Sequence, residues 1–154
     1  MRAMRLLLAV LVWIALPAQA QDIPEWFSQS FLDLREDVAQ AAKDGKRLLV
    51  YFSQEGCPAC KLLTTVTFRD PNIVAKTRRN FSAIAINTWG AREVTWTDGR
   101  TMSEKQLAAL LKVHATPTLI FLDEKGGVAL RFSGYLPPAQ FEPKLDLAAR
   151  KAAG

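Results

Sequence analysis

A chain of 154 residues with 20 Lys and Arg against 15 Asp and Glu carries a formal charge of +5. That length fits one domain with a single core, and so small a basic surplus, scattered along the chain, argues against nucleic acid as a partner. Two cysteines and one histidine fall short of the four ligands of a structural zinc site.

The first twenty residues, MRAMRLLLAVLVWIALPAQA, place Arg2 and Arg5 before an apolar run from Leu6 to Leu16, then Pro17 and small residues ending at Ala20. This layout predicts a secretory signal peptide cleaved after Ala20. The run is far shorter than the ~20 residues that cross a bilayer. Residues 21–154 then form a single exported domain of charge +3, since the overall +5 loses the two arginines. Export places the cysteines where disulfides persist.

After a lead containing Ile23, Trp26 and Phe27, the residues Phe31, Leu34, Val38 and Ala41 recur at helical spacing up to Lys43, and Gly45 stops the helix. Arg47 to Phe52 is a short apolar run that reads as a strand buried on both faces. The sequence SQEGCPACKLL follows, in which Pro58 suits the first turn of a helix, so Cys57 and Cys60 stand at a strand-to-helix junction. Asp70-Pro71 caps a second helical piece over residues 72–79, whose Arg78 and Arg79, with Arg69 and Lys76, read as a solvated face. Phe81 to Trp89 is a second strand, Asp98-Gly99 a turn, and Ser103 with Gln106 a capping box for a helix ending near His114. A hairpin of TLIFLD and VALRFS around DEKGG comes next. The tail from Pro138 to Lys151 is helix-forming, with Pro143 expected to kink or divide it. The order predicts an α/β layer with a mixed sheet covered on both sides.

Three chemistries fit the cysteine pair. A metal clip lacks ligands, with only His114 to add to the two thiols. A purely structural bridge across so small a loop gains little, because loop-closure entropy grows with the residues enclosed. A redox pair uses the site fully: unpaired N–H groups and the positive end of the helix dipole stabilise a thiolate at Cys57, and Cys60, one turn further in, resolves the mixed disulfide that Cys57 forms. Pro117, in Thr116-Pro117-Thr118, reads from the residues alone as an ordinary trans proline at a strand entrance, since only ~5% of X–Pro bonds are cis.

An apolar strand, a CxxC opening a helix, and much later a Thr-Pro entering a hairpin followed by a last helix together resemble the thioredoxin family over about residues 31–150. The resemblance implies a thioredoxin-like fold with an insert before the helix that precedes the proline strand. It makes Cys57 the attacking thiol, Cys60 the resolving thiol, Pro117 a cis-proline beside them, and Thr116 the residue that offers its backbone to a substrate segment. Cytosolic thioredoxins carry Trp before the first cysteine, Gly-Pro between the two and a buried Asp six residues before the first; here these positions are Gly56, Pro58-Ala59 and Tyr51. Pro58 and Ala59 thus become tuning positions, Lys61 matches the family, and His114 is a further tuning candidate near neutral pH. The insert WGAREVTWTDGRTMSEKQLA is similar to exported thioredoxin-like proteins, most nearly the SoxW type of bacterial sulfur-oxidation clusters. Trp89 and Trp96 within it either flank the thiol surface or, as aromatics more commonly do, pack against the core.

The resemblance implies a periplasmic reductase of disulfides in exported proteins, monomeric, with no bound cofactor or metal. An inner-membrane thiol carrier would be its electron donor and a sulfur-oxidation protein a recipient. Potentials of CxxC proteins on this fold span about 150 mV, so oxidase or isomerase action is the alternative in the same class. A binding or holdase module with its cysteines permanently joined is the alternative outside it.

Overall fold

The computed structural model describes residues 22–150; the expected signal peptide lies outside them, as does Lys151 at the tail. Helix α1 (Leu34–Lys43) is capped by Asp33, whose carboxylate accepts the Arg35 N–H, and it buries Leu34, Val38 and Ala41. Phe31 does not join that stripe. Leu32 takes a left-handed φ of 63°, its N–H bonding to Ser30 Oγ. This turn sends Leu32 into the core at 4% exposure and leaves Phe31 at 102%.

Strand β1 (Arg47–Ser53) is buried along its whole length. Strand β2 (Phe81–Asn87) runs parallel to it on one side, pairing Arg47 with Phe81 and Ser53 with Asn87. On the other side β5 (Thr118–Leu122) runs antiparallel, with Phe52 opposite Thr118. Beyond β5 lies β6 (Val128–Ser133), also antiparallel, giving the order β2-β1-β5-β6. Helix α2 (Pro58–Thr65) follows β1, then a 3-10 turn (Thr67–Arg69) and α3 (Pro71–Asn80), whose cap Asp70 accepts from Asn72 and Ile73 N–H. Helix α4 (Glu104–Leu110) has the expected capping box of Ser103 and Gln106. Helix α5 (Pro138–Ala149) runs undivided through Pro143. That proline faces solvent, while Phe141, Leu145 and Ala148 hold the helix to the sheet.

Alternation along β1 separates two cores, as a two-residue side-chain period requires. Leu49 and Tyr51 face a cluster with Phe68, Phe121, Phe141 and Leu145. Leu48, Val50 and Phe52 face the other, with Leu34, Val38, Leu107 and Trp96. The result is a mixed sheet with helices on both faces.

Between β2 and α4 the insert forms a small hairpin of β3 (Glu93–Thr95) and β4 (Thr101–Ser103) around the Asp98-Gly99 turn. Val94 and Trp96 fasten it to the second core. The sequence marks only its turn, because three-residue strands carry too little periodicity. Strand β2 stops at Asn87 rather than Trp89, because Gly90 N–H and Trp89 N–H turn back to the Asn87 carbonyl and side-chain oxygens. Arg47, buried at the start of β1, donates to the Ala148 and Arg150 carbonyls and pairs with Glu124, clasping the end of α5.

Candidate active site

Strand β1 delivers the chain to Gln54, and Gly56, at φ 66°, makes the left-handed step that a side chain would disfavour. Cys57 is then the N-cap of α2, extended at φ −96° and ψ 103°, and Pro58 occupies the first turn. Cys57 and Cys60 are joined in a disulfide. Their environments differ: Cys57 is half-buried and Cys60 is 6% exposed within the first core. Cys57 Sγ accepts the Cys60 N–H at 3.1 Å, which is the helix-start donor expected to favour a thiolate.

A second donor comes from across the sheet. The Thr116 hydroxyl lies 3.3 Å from Cys57 Sγ, and the Thr116 carbonyl oxygen lies 3.5 Å from it. The Thr116–Pro117 bond is cis, and Pro117 is buried. The loop is fixed by Gly134 N–H donating to the Pro117 carbonyl at 2.8 Å and by the Thr118 hydroxyl, which bonds to the Ala115 carbonyl and Ser133 Oγ. The family resemblance implies only backbone work for Thr116. Its side chain adds a hydrogen bond to the sulfur that the tripeptide alone does not reveal.

Behind the disulfide lies a cleft of about 420 Å³ whose lining includes Ile23, Tyr51, Ser53, Cys57, Cys60 and Thr64. Tyr51, at the position where cytosolic thioredoxins carry an acid, is pushed up to about 12 by burial, against the opposing effect of its hydrogen bond with Ser53. It is therefore a neutral phenol at physiological pH, unsuited to act as a base. Lys61 is exposed on the rim of the cleft. Pro58 is exposed, Ala59 half-buried, and His114 exposed on the loop before Thr116. Among the described residues no cluster of three or more His, Cys, Asp or Glu is arranged to hold a metal.

The two insert tryptophans part company. Trp96 is buried at 8% in the second core, whereas Trp89 is 62% exposed. Trp89 sits on the turn that leaves β2, and Thr88 N–H in that turn donates to the Ser53 carbonyl at 2.8 Å. The Thr88 hydroxyl reaches Gln54 Oε1 at 3.5 Å, so the turn is tied to the loop that leads to Cys57.

Glu104, which sequence reasoning passed over, holds this turn in place. Its side chain is 2% exposed, and its carboxylate accepts from Asn87 N–H at 2.9 Å, Arg92 N–H at 3.3 Å and Arg92 Nη2 at 2.7 Å. A Cβ at Gly90 would overlap that carboxylate and stand 3.0 Å from the Asn87 carbonyl oxygen. In sequence Glu104 is an ordinary first-turn acid of a capped helix, and only the fold brings the turn down over it.

A sequence profile described as a thioredoxin-like domain matches residues 34–149. Human nucleoredoxin is 28% identical over 109 residues, 62% of this chain but only 25% of nucleoredoxin, so the match spans about a quarter of that relative. A thioredoxin from Thermus thermophilus superposes with a TM-score of 0.58 at 28% identity, over 74% of this chain and 82% of that one. A protein described as a disulphide-isomerase candidate from Bacteroides thetaiotaomicron gives 0.63 at 24% identity, over 82% and 96%, a likeness of fold. With its sheet order, its helix-capping Cys57–Cys60 pair and this match over most of its length, the chain belongs to the thioredoxin-like domain family.

Proposed function

We propose that this protein is an exported thiol-disulfide oxidoreductase that reduces disulfides in partner proteins. One observation carries the reading: Cys57 is a half-buried helix cap with two hydrogen-bond donors on its sulfur, while Cys60 beside it is enclosed. An incoming disulfide can therefore be attacked by Cys57 and not by Cys60.

In the reduced protein the Cys57 thiolate attacks one sulfur of the partner's disulfide. A new S–S bond forms, the partner's bond breaks, and its other sulfur leaves as a thiolate that takes up a proton. Cys60 then loses its proton and attacks Cys57 Sγ, releasing the second partner sulfur and leaving the Cys57–Cys60 disulfide. Two electrons pass from the protein to its partner. With Tyr51 neutral, the Cys60 proton leaves to water in the cleft, whose lining includes Ser53 and Thr64. A second dithiol, membrane-borne by the sequence resemblance, restores the reduced state. Thr116 and Pro117 position the partner segment, and the sulfur-oxidation likeness of the insert favours sulfur-carrying exported proteins as recipients. Cleavage after Ala20 and work in the periplasm follow from the leader pattern.

Insulin reduction by dithiothreitol tests the reading. The residue 21–154 protein accelerates it, and Cys57→Ser removes the acceleration. In the native cell a Cys60→Ser variant accumulates mixed disulfides with exported proteins. Equal rates with and without the protein would sink the proposal.

A further inference from the structure

An exposed tryptophan usually has no defined posture, but Trp89 is held on a constructed turn. The Glu104 carboxylate gathers Asn87 and Arg92 beneath it, Lys105 N–H donates to the Gly90 carbonyl at 3.1 Å, and Gly90 is the residue that the packing against Glu104 admits. The turn is also bonded to Ser53 and Gln54, which lead directly to Cys57. A buried carboxylate and a glycine are thus committed to keeping an indole in solvent beside the reactive loop.

Strands β2 and β5 flank β1, so the turn carrying Trp89 and the loop carrying Thr116 lie on opposite sides of the Cys57 loop. The strand ends from which they spring are two spacings apart, roughly 10 Å. An extended polypeptide covers that span in about three residues. A disulfide with only a few atoms on each sulfur cannot touch both.

We propose that Trp89 is a specificity contact for polypeptide substrates. It receives an apolar side chain of the segment bearing the target disulfide while Cys57 attacks that disulfide. This deepens the oxidoreductase reading above and rests on it. Aromatic anchors of this kind dominate many interfaces, with tryptophan prominent among them, and the loss of one such contact corresponds to about a tenfold change.

The test compares two substrates, insulin and bis(2-hydroxyethyl) disulfide, with the 21–154 protein. Trp89→Ala lowers kcat/KM for insulin about tenfold, through KM, and leaves the small disulfide unchanged; Trp89→Phe recovers most of the loss. Gly90→Ala, which displaces the turn with the indole intact, gives the same selective loss. Insulin kinetics unaffected by Trp89→Ala, or an equal fall on both substrates, overturns the contact alone. Wild-type protein inactive on both substrates overturns the oxidoreductase reading and the contact with it.

Discussion

At the residue scale, Cys57 Sγ gathers donors from two separate elements: the backbone of α2 and the Thr116 hydroxyl. A hydrogen bond to a thiolate favours the charged form. Thr116→Val keeps the branched shape and removes that donor, so alkylation of Cys57 in the reduced protein moves to higher pH. The pH dependence of alkylation shows this directly; an unshifted profile means the hydroxyl serves the loop and not the sulfur. Asp37 offers a second test. Burial raises its pKa, the Ser30 hydroxyl opposes this, and Asp33 and Glu36 add to the rise. The folded chain then holds this proton more tightly than the unfolded chain, so the stabilisation is complete below the unfolded pKa and is lost as pH rises through the folded one. Asp37→Asn, whose carbonyl still accepts from Ser30, therefore equals or exceeds the wild type at pH 7 by about a few tenths of a kcal/mol, because the half-exposed site is screened. The advantage disappears near pH 3 in urea denaturation.

At the element scale, what governs legibility is how local each signal is. The capping box at Ser103, the Asp70 cap and the apolar run of β1 are written in neighbouring residues and are legible there. Phe31 fits the period of α1 on paper, yet a single left-handed residue, Leu32, exchanges the two side chains between core and solvent. The thiols and the Thr-Pro were likewise legible. Glu104 was not, because its partners Asn87 and Arg92 belong to a turn whose path is fixed by tertiary packing. Glu104→Ala leaves those two N–H groups without an acceptor and lets exposed Arg92 return to water. The loss is about 2–3 kcal/mol by the cost of unsatisfied buried donors, read as a lower urea midpoint with an unchanged slope. A variant of wild-type stability would show that water replaces the carboxylate without cost.

For the whole molecule, two cores share one sheet, and each must be complete for the strand ends to hold Cys57, Thr116 and Trp89 in register. Phe141 makes edge contacts with Phe68 and Phe132 and is fully buried. Phe141→Ala is expected to cost about 3–5 kcal/mol and to uncouple α5 from the first core. Thermal unfolding checks it, with a fall of under 1 kcal/mol indicating that neighbours collapse into the space. The Arg47 clasp carries a different consequence. Its guanidinium reaches carbonyls 101 and 103 positions away in the chain, so the opening strand waits for the closing residues before its charge is fully satisfied. A nascent or truncated polypeptide ending short of Ala148 lacks both of those acceptors for the Arg47 cation, and its fold is weakened accordingly.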